Sequence, residues 1–192
     1  MLGKINNATN LITQRLVLRQ WRDQDRKPFA QINADPQVMR YFPSPLDAAA
    51  SDALLLRNRH NIEVRGWGLW AVERRVDGAF IGFVGLEQPM AALPCAPCAE
   101  VGWRLGVAFW GNGYATEAAK ASLQYGFGEL ALDEIVSFTT LANQPSRAVM
   151  QRLGMVNADE DFDHPNLPVG HELRRHCLYR LSRRQWSERT QV

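Results

Sequence analysis

The stretch that decides the fold of this chain is Trp110-Gly111-Asn112-Gly113-Tyr114-Ala115-Thr116-Glu117-Ala118. It follows a strand-like segment, Glu100–Leu105, and leads into the small and apolar spacing of a helix over residues 115–127. Because glycine has no Cβ and adopts positive φ at little cost, Gly111 and Gly113 would let an anion approach the unpaired N–H groups of the first helical turn. The stretch therefore predicts a site for a phosphate-bearing ligand, and the simpler alternative is a tight strand-to-helix turn.

Composition limits the class of protein. With 192 residues, of which 46% are hydrophobic and 22% charged, the chain has enough apolar material for one folded domain. We expect that domain to span residues 1–192, with a motif-bearing core over about 11–182. The net charge of +2 is too small to indicate nucleic-acid binding. No apolar run approaches the ~18 residues of a membrane span, and the N-terminus lacks a signal-peptide core, so we predict a cytoplasmic protein without a membrane partner.

The cysteines favour a reducing compartment and no metal site. Cys95, Cys98 and Cys177 are an odd number in a chain that is large enough to fold without disulfides. Cys95 and Cys98 have the C-x-x-C spacing of a zinc site, but a second pair of cysteines or histidines at a matching spacing is missing. We therefore interpret this segment as a proline-stiffened loop.

The order of predicted elements indicates an α+β fold rather than a doubly wound sheet. The predicted elements are a strand over 13–19, helices over 23–34 and 47–64, a hairpin of strands over 69–74 and 79–87, a strand over 100–105, a helix over 115–127, a strand over 134–140, a helix over 144–153 capped by Gly154, and strands over 155–162 and 172–181. A dinucleotide-binding fold fits less well. Its motif requires a third small residue where Thr116 stands and an acidic residue at the end of the next strand, and this sequence has neither at those positions.

A second helix contributes to the same region. Asn143, Ser146 and Met150 are spaced so that they share one face of the helix over 144–153. If the two strands that precede these two helices lie parallel and adjacent, their carboxyl ends would open a slot between the helix starts. A long, thin ligand could enter that slot.

These residues resemble the GNAT N-acetyltransferase superfamily, and within it the RimJ/RimL-type branch of ribosomal-protein N-terminal acetyltransferases. The family's cofactor motif is Gln or Arg, two residues, Gly, one residue, then Gly or Ala; here Trp110 replaces the Gln or Arg, and Gly113 and Ala115 supply the small positions. Further matches, covering about residues 11–182, are Thr13-Gln14-Arg15-Leu16-Val17-Leu18-Arg19, Asp35-Pro36-Gln37-Val38-Met39-Arg40-Tyr41, Glu100-Val101-Gly102-Trp103, and Asn143 through Ser146 to Gly154-Met155.

The resemblance implies one GNAT-type domain whose mixed, mostly antiparallel sheet splays between two parallel strands and is flanked by helices. It implies acetyl-CoA as co-substrate, an amine acceptor, no metal, and an assembly that could be a homodimer. The pantetheine arm would lie against the backbone of Trp103 and Leu105 and would bond to Asn143, which is alternatively a plain helix N-cap. The implied cofactor-binding residues are Trp103, Leu105, Trp110, Gly111, Asn112, Gly113, Tyr114, Ala115, Thr116, Asn143 and Ser146.

Acetyl transfer to an amine also needs a group that accepts a proton, since an amine attacks only as the neutral base. The resemblance assigns that role to Glu100, whose alternative is an exposed residue at the start of a strand. Met150 stands where many relatives have a proton-donating tyrosine, and Ser146 is our candidate replacement.

Three functions remain open at this stage. The first is an N-acetyltransferase for a protein N-terminus or a small-molecule amine, the second a non-catalytic acyl-CoA-binding or regulatory module, and the third a nucleotide- or dinucleotide-binding enzyme. His176 could contact the acceptor, and Trp67 and Trp70 could line its slot, although core roles are commoner for such residues. An acidic run over 159–163 could steer a basic acceptor or form a solvated loop.

Overall fold

The structure is a computed structural model that describes residues 9–89 and 93–190. Within these residues nine strands form one sheet, and five α-helices flank it. The strands are β1 (Leu11–Ile12), β2 (Leu16–Arg19), β3 (Leu69–Arg74), β4 (Phe80–Glu87), β5 (Glu100–Leu105), β6 (Glu134–Thr140), β7 (Val156–Asn157), β8 (Phe162–Asp163) and β9 (Arg175–Ser182). The helices are α1 (Arg26–Ala34), α2 (Ala48–Arg65), α3 (Tyr114–Gly128), α4 (Gln144–Leu153) and α5 (Arg183–Thr190).

The sheet is mixed and mostly antiparallel, which confirms the α+β prediction. Its strand order is β1-β2-β3-β4-β5-β6-β9-β7, with β8 also paired to β9. Every pairing within the described residues is antiparallel except that of β5 with β6. The parallel pair lies in the middle of the sheet, and α3 and α4 each begin just beyond one of its strands.

The helices cover both faces of the sheet. Arg104 of β5 bonds to Asn33 of α1, so α1 and α2 lie on the face that carries the even-numbered residues of β5. Leu86 of β4 lies opposite Val101, and its side chain reaches Gly126 of α3 on the other face. Both faces are apolar where the helices pack, and the buried core includes Trp70, Leu86, Val101, Leu123 and Ile135.

The end of the chain departs from the prediction. The strand expected over 155–162 is two short strands, β7 and β8, because Asp159 between them adopts a φ of 55°, which regular strand backbone does not contain. The last strand begins at Arg175, three residues later than expected. The acidic run over 159–163 is part of this irregular segment, and Glu160 pairs with Arg180 at 2.7 Å.

Helix α5 was not predicted. It begins directly after β9 and buries Trp186, whose ring stacks on Phe127 of α3 with 5.8 Å between centroids. Ser182 and Gln185 exchange bonds at its start, since the Gln185 N–H donates to the Ser182 hydroxyl and the Ser182 N–H donates to the Gln185 side chain. This is a capping box, and the Ser-x-x-Gln spacing was a signal that could have revealed the helix.

Candidate active site

The candidate site is a cleft that opens where β5 and β6 separate. The two strands are paired only at Glu100 and Val136, with the Val136 N–H donating to the Ala99 carbonyl at 2.9 Å. One further bond, from the Ser137 hydroxyl to the Val101 carbonyl at 2.9 Å, holds them before they diverge. The resulting cleft has a volume of about 1210 Å³ and runs between the starts of α3 and α4. The slot expected from the sequence is therefore present.

The glycine turn forms one mouth of this cleft. Gly111 and Gly113 adopt φ of 74° and 78°, which agrees with the expectation that these glycines take positive φ because they lack a Cβ. No side chain caps the N-terminus of α3, so the N–H groups of its first turn have no capping partner. A Cβ on Gly111 would have open space within 4 Å. This end of the cleft can accept an anion at the positive end of the helix dipole.

Of the predicted cofactor residues, Asn112 alone does not line the cleft. Its side chain donates to the carbonyls of Phe109 and Trp110 at 3.3 and 2.9 Å. The Asn112 side chain thus shapes the turn from within, and the predicted contact of this residue with the cofactor stays a prediction. The other predicted residues, together with Glu100, all line the cleft: Trp103, Leu105, Trp110, Gly111, Gly113, Tyr114, Ala115, Thr116, Asn143 and Ser146.

Arg15 and Glu117 brace the turn, and sequence reasoning assigned no role to either. The Arg15 guanidinium donates to the Asn112 carbonyl at 3.0 Å and to the Glu117 carboxylate at 2.6 Å, and it lies 4.7 Å over the Tyr114 ring. Burial would raise the pKa of Glu117, but hydrogen bonds from Thr13 and Arg15 hold it below its ordinary value. These contacts fix the first turn of α3 against the segment that precedes β2.

Helix α4 presents the three residues that the sequence placed on one face. Asn143, Ser146 and Met150 all line the cleft. The buried Asn143 side chain accepts from the Ser146 N–H at 3.2 Å, which confirms the N-cap, and it donates to the Thr139 hydroxyl at 2.9 Å. The Ser146 hydroxyl has no hydrogen-bond partner among the described residues. Met150 is buried in the core and offers no proton.

The backbone of β5 has a free edge toward the cleft. Gly106 donates to Ile81 of β4, whereas the carbonyls of Val101 and Leu105 bond away from β4, to Ser137 and to the Trp110 indole at 2.8 Å. Successive residues of a strand direct their backbone groups to opposite sides. The N–H and carbonyl of Trp103 therefore face the cleft, where β6 has already diverged. An extended ligand could pair with this edge as an additional strand.

Two carboxyl groups lie side by side deeper in the cleft. Glu87 of β4 and Glu100 of β5 are directly opposite each other, so their side chains share a face, and both line the cleft. Burial raises the pKa of Glu100 well above its usual range, and the charge of Glu87 raises it further. Burial also raises the pKa of Glu87, although three nearby arginines oppose that shift: Arg57, Arg104 and Arg65. A carboxyl group with a raised pKa is suited to proton transfer near neutral pH.

Arg104 continues the same wall of the cleft. Its guanidinium donates to the Asn33 side chain at 2.7 Å and lies 4.1 Å over the Phe42 ring. The Asn33 amide in turn donates to the Ser51 hydroxyl of α2 at 2.9 Å, so α1 and α2 hold the arginine in place. Burial lowers the pKa of Arg104 to about 10, which leaves it charged at neutral pH.

Comparison with known proteins identifies the family. The model of the acetyltransferase (GNAT) domain matches residues 15–156, which is most of the chain. This chain belongs to the GNAT acetyltransferase family. The fold, the splayed strands and the glycine turn described above are thus those of a GNAT domain, and the resemblance seen in the sequence is confirmed.

Individual relatives support the same assignment. The chain is 32% identical to YkkB of Bacillus subtilis over 152 residues, which covers 79% of this chain and 87% of YkkB. It is 30% identical over 190 residues to the FsC-acetyl coenzyme A-N(2)-transacetylase of Aspergillus fumigatus, covering 95% and 80%. RimJ of Mycobacterium smegmatis, solved with CoA-disulfide, has the same fold with a TM-score of 0.68 at 20% identity, covering 91% and 89%.

Other side chains considered from the sequence divide between the cleft and the core. His176 lines the cleft with His164, their ring centroids 5.0 Å apart, and burial lowers the pKa of both imidazoles. Trp70 is fully buried in the core and Trp67 packs against that core, and neither lines the cleft of this GNAT domain. Aromatic core residues were the commoner alternative, and the structure supports that alternative for both.

The described part of the chain contains neither a membrane-spanning helix nor a cluster of metal-ligating side chains. No helix there is long and apolar enough to cross a membrane. No group of three or more histidine, cysteine or acidic residues in that part lies close enough to hold a metal ion. Cys95 and Cys98 are in contact, with 3.1 Å between their sulfur atoms, and they pack against a small apolar cluster around Phe162 and Leu178.

Proposed function

We propose that this GNAT protein transfers the acetyl group of acetyl-CoA to a primary amine, with Glu100 as the proton acceptor. The observation that carries the proposal is that one cleft joins the uncapped N-terminus of α3 to a partly buried carboxyl group. Bound acetyl-CoA would supply an activated thioester. The nitrogen of the amine forms a bond to the acetyl carbon, the carbon–sulfur bond breaks, and the products are an amide and free CoA.

The residues present fit such a co-substrate. Gly111 and Gly113 expose backbone N–H groups for the pyrophosphate, with Trp110, Tyr114, Ala115 and Thr116 completing the turn. The free backbone edge at Trp103 suits the pantetheine amides, and Asn143 lies across the cleft from it. The Leu105 carbonyl is already bonded to Trp110, so its N–H is the group left for the ligand.

Proton movement can be assigned to two side chains. Glu100, as a carboxylate, removes the proton that the attacking ammonium must lose, directly or through water. The Ser146 hydroxyl lines the cleft and has no hydrogen-bond partner among the described residues, and we assign to it the donation of a proton to the departing thiolate. Because a thiol has a pKa of roughly 8.5, the thiolate leaves readily, and we expect the contribution of Ser146 to be smaller than that of Glu100.

The alternative is a module that binds acyl-CoA without turnover. The observation in its favour is that Met150 is a buried core residue at the position where many relatives place a proton donor. Thermal unfolding with and without CoA, combined with an assay for free thiol over a panel of amines, separates the two. A CoA-dependent rise in the unfolding temperature with thiol release supports the enzyme. The same rise without thiol release supports the binding module.

The role of Glu100 is tested by the pH dependence of Glu100→Gln. The wild-type kcat/KM falls as pH drops through the raised pKa of Glu100, because the protonated carboxyl cannot accept a proton. We expect the variant to lose about 10²- to 10⁴-fold near neutral pH. The rate of the variant then follows the fraction of the amine that is unprotonated. The difference in kcat/KM between variant and wild type therefore shrinks as pH approaches the pKa of that amine, roughly 7.7 to 10.4.

Glu129→Gln removes the same charge at an exposed position outside the cleft and is the matched control. A constant deficit for Glu100→Gln at every pH would contradict the proton-acceptor role. Loss of CoA binding in that variant would assign Glu100 a structural role.

A further inference from the structure

Two acidic and two basic side chains share one wall of the cleft, which we call the charged wall: Arg57, Glu87, Glu100 and Arg104. All four line the cleft, Arg57 from α2 and the others from β4 and β5. The register of β4 with β5 orders the strand residues in successive rows of opposed pairs: Glu87 with Glu100, Gly85 with Gly102, and Phe83 with Arg104. Acidic and basic groups therefore lie at the two ends of one short stretch of sheet, on the same face.

The space between these ends is open at Gly102. A Cβ built on Gly102 would lie 3.9 Å from a Glu100 carboxyl oxygen and 4.0 Å from the Leu69 side chain, and nothing lies closer. Rows two residues apart along a strand are about 6.6 Å apart. A small organic group could occupy this hollow while touching Glu100 on one side and the Phe83–Arg104 row on the other.

The charged groups of this wall act on one another through their charges, since Arg57 and Arg104 oppose the rise in the pKa of Glu87 that burial causes, but no salt bridge joins them in the described residues. In the described part of the chain, neither the Glu87 nor the Glu100 carboxyl group forms a hydrogen bond or a salt bridge. Arg57 and Arg104 likewise form no salt bridge there, and the Nε of Arg104 is buried without a partner. A buried donor without a partner costs free energy, so the Arg104 guanidinium is only partly satisfied by the protein itself.

We propose that the acceptor is a primary amine that also carries an anionic group. The amine lies between the carboxyl groups of Glu87 and Glu100, over Gly102, and the anionic group pairs with Arg104 and Arg57. This inference rests on the proposed acetyl transfer and names the acceptor class for it. Glu87 is a binding residue in this scheme, whereas Glu100 accepts the proton.

Charge matching favours this class over other amines. A polyamine would place further positive charges beside the arginines of the wall, and opposed like charges in a partly buried site are costly. A neutral amine would leave Arg57 and Arg104 without the salt bridge that an anionic group supplies. The matching chemistry occurs both in small amino acids and in peptides with an acidic side chain next to the N-terminus, and the test separates these two sources.

The experiment measures kcat/KM for matched acceptors that differ only in the anion. Phenylalanine is compared with phenylalaninamide, and the peptide Ser-Glu-Ala is compared with Ser-Gln-Ala. Both peptides are blocked at the C-terminus. Each rate is divided by the fraction of the acceptor amine that is unprotonated at the pH of the assay. Spermidine is the cationic acceptor. We expect the anionic member of at least one pair to be preferred by about tenfold or more, as for one charge-assisted hydrogen bond. Preference within the amino-acid pair identifies a small molecule, and preference within the peptide pair identifies a peptide.

Variants link the preference to the charged wall. Arg57→Gln alters an exposed side chain without a salt bridge and should fold, whereas Arg104→Lys keeps the charge but loses the guanidinium fork. Both variants should lower the ratio of kcat/KM for the anionic acceptor to kcat/KM for the neutral acceptor. The control Arg184→Gln, which removes a charge from the exposed face of α5, should leave this ratio unchanged.

Acetyl transfer without preference for the anionic acceptor, or a preference that survives in both cleft variants, overturns this inference alone. Absence of transfer to every amine overturns the proposed function, and the inference with it.

Discussion

The variant Gly102→Ala tests whether the acceptor side of the cleft can be blocked without disturbing the fold. The added methyl group would meet the Glu100 carboxyl and the Leu69 side chain at 3.9 and 4.0 Å, which is ordinary van der Waals contact. The φ of Gly102 is not positive, so alanine adopts the same backbone without strain. Replacing glycine by alanine under these conditions stabilises a protein by about 0.4–1 kcal/mol, which corresponds to a rise of about 1–4 °C in Tm for a chain of this size.

The same methyl group would occupy the hollow into which we place the acceptor amine. Forcing an additional methyl into a filled site costs about 1–3 kcal/mol, so we expect kcat/KM for the acceptor to fall about 5- to 150-fold. Affinity for CoA should change little, because the Cβ of Gly102 projects toward Glu100 and Leu69 rather than toward the glycine turn. The measurements are thermal unfolding, calorimetric titration with CoA, and thiol release with an acceptor of the wild-type enzyme.

Gly78→Ala is the control with the opposite pattern. Gly78 lies in the β3–β4 hairpin with a φ of 69°, outside the cleft, so alanine there should cost about 1–2 kcal/mol of stability and leave acceptor kinetics unchanged. The reasoning is refuted if Gly102→Ala destabilises the protein, or if it weakens CoA binding as much as it weakens acceptor kinetics. Unchanged acceptor kinetics would mean that the amine approaches from elsewhere.

Two further predictions concern stability. Because the folded state raises the pKa of Glu100, its contribution to stability is complete below the ordinary carboxyl pKa of roughly 4.3 and is lost as pH rises through the raised value. Glu100→Gln should therefore unfold at a higher temperature than the wild type at pH 8, by a margin that shrinks toward pH 4; lower stability of the variant at pH 8 would contradict this. Asn143→Ala should lower stability by about 1 kcal/mol through loss of the α4 cap and should also weaken CoA binding, whereas Asn143→Asp keeps the capping oxygen and loses the donated bond to Thr139. Equal CoA affinity of all three proteins in calorimetric titration would limit Asn143 to the cap.

The parts of the site that depend on short-range pattern could be predicted from the sequence. The glycine turn, the helix that follows it and the shared face of α4 each lie within a segment of at most fifteen residues, where spacing decides geometry. Gly111 and Gly113 were chosen for positive φ, and both have it. The order of the elements also followed from the pattern, whereas the parallel pairing of the two strands was only a condition until the resemblance to the family implied it.

What escaped prediction depends on register and on contacts between distant residues. Glu87 was seen only as the end of a hairpin strand, because its position opposite Glu100 follows from the pairing of β4 with β5 and not from either segment alone. Arg15 meets Glu117 across 102 residues, and a salt bridge of that separation leaves no periodic trace in the sequence. The break between β7 and β8 depends on the positive φ of Asp159, a conformation that aspartate adopts more readily than most residues but that composition does not impose.

The unsatisfied groups of this GNAT domain provide a common argument for both ends of the cleft. At one end, the first turn of α3 has no cap and the backbone of Trp103 faces away from its neighbouring strand. At the other end, two carboxyl groups face each other and the Nε of Arg104 has no partner. Because polar groups without a protein partner recur along this one cleft, they call for a common cause.

A ligand that spans the cleft supplies that cause. Its phosphate end would satisfy the helix start, its amide-bearing middle would pair with β5, and an amine with an anionic group would complete the charged wall. The partly buried carboxylate of Glu100 beside Glu87 destabilises the empty protein, which is why Glu100→Gln is expected to gain stability while losing activity. The opposite signs of these two effects distinguish a residue kept for catalysis from one kept for the fold.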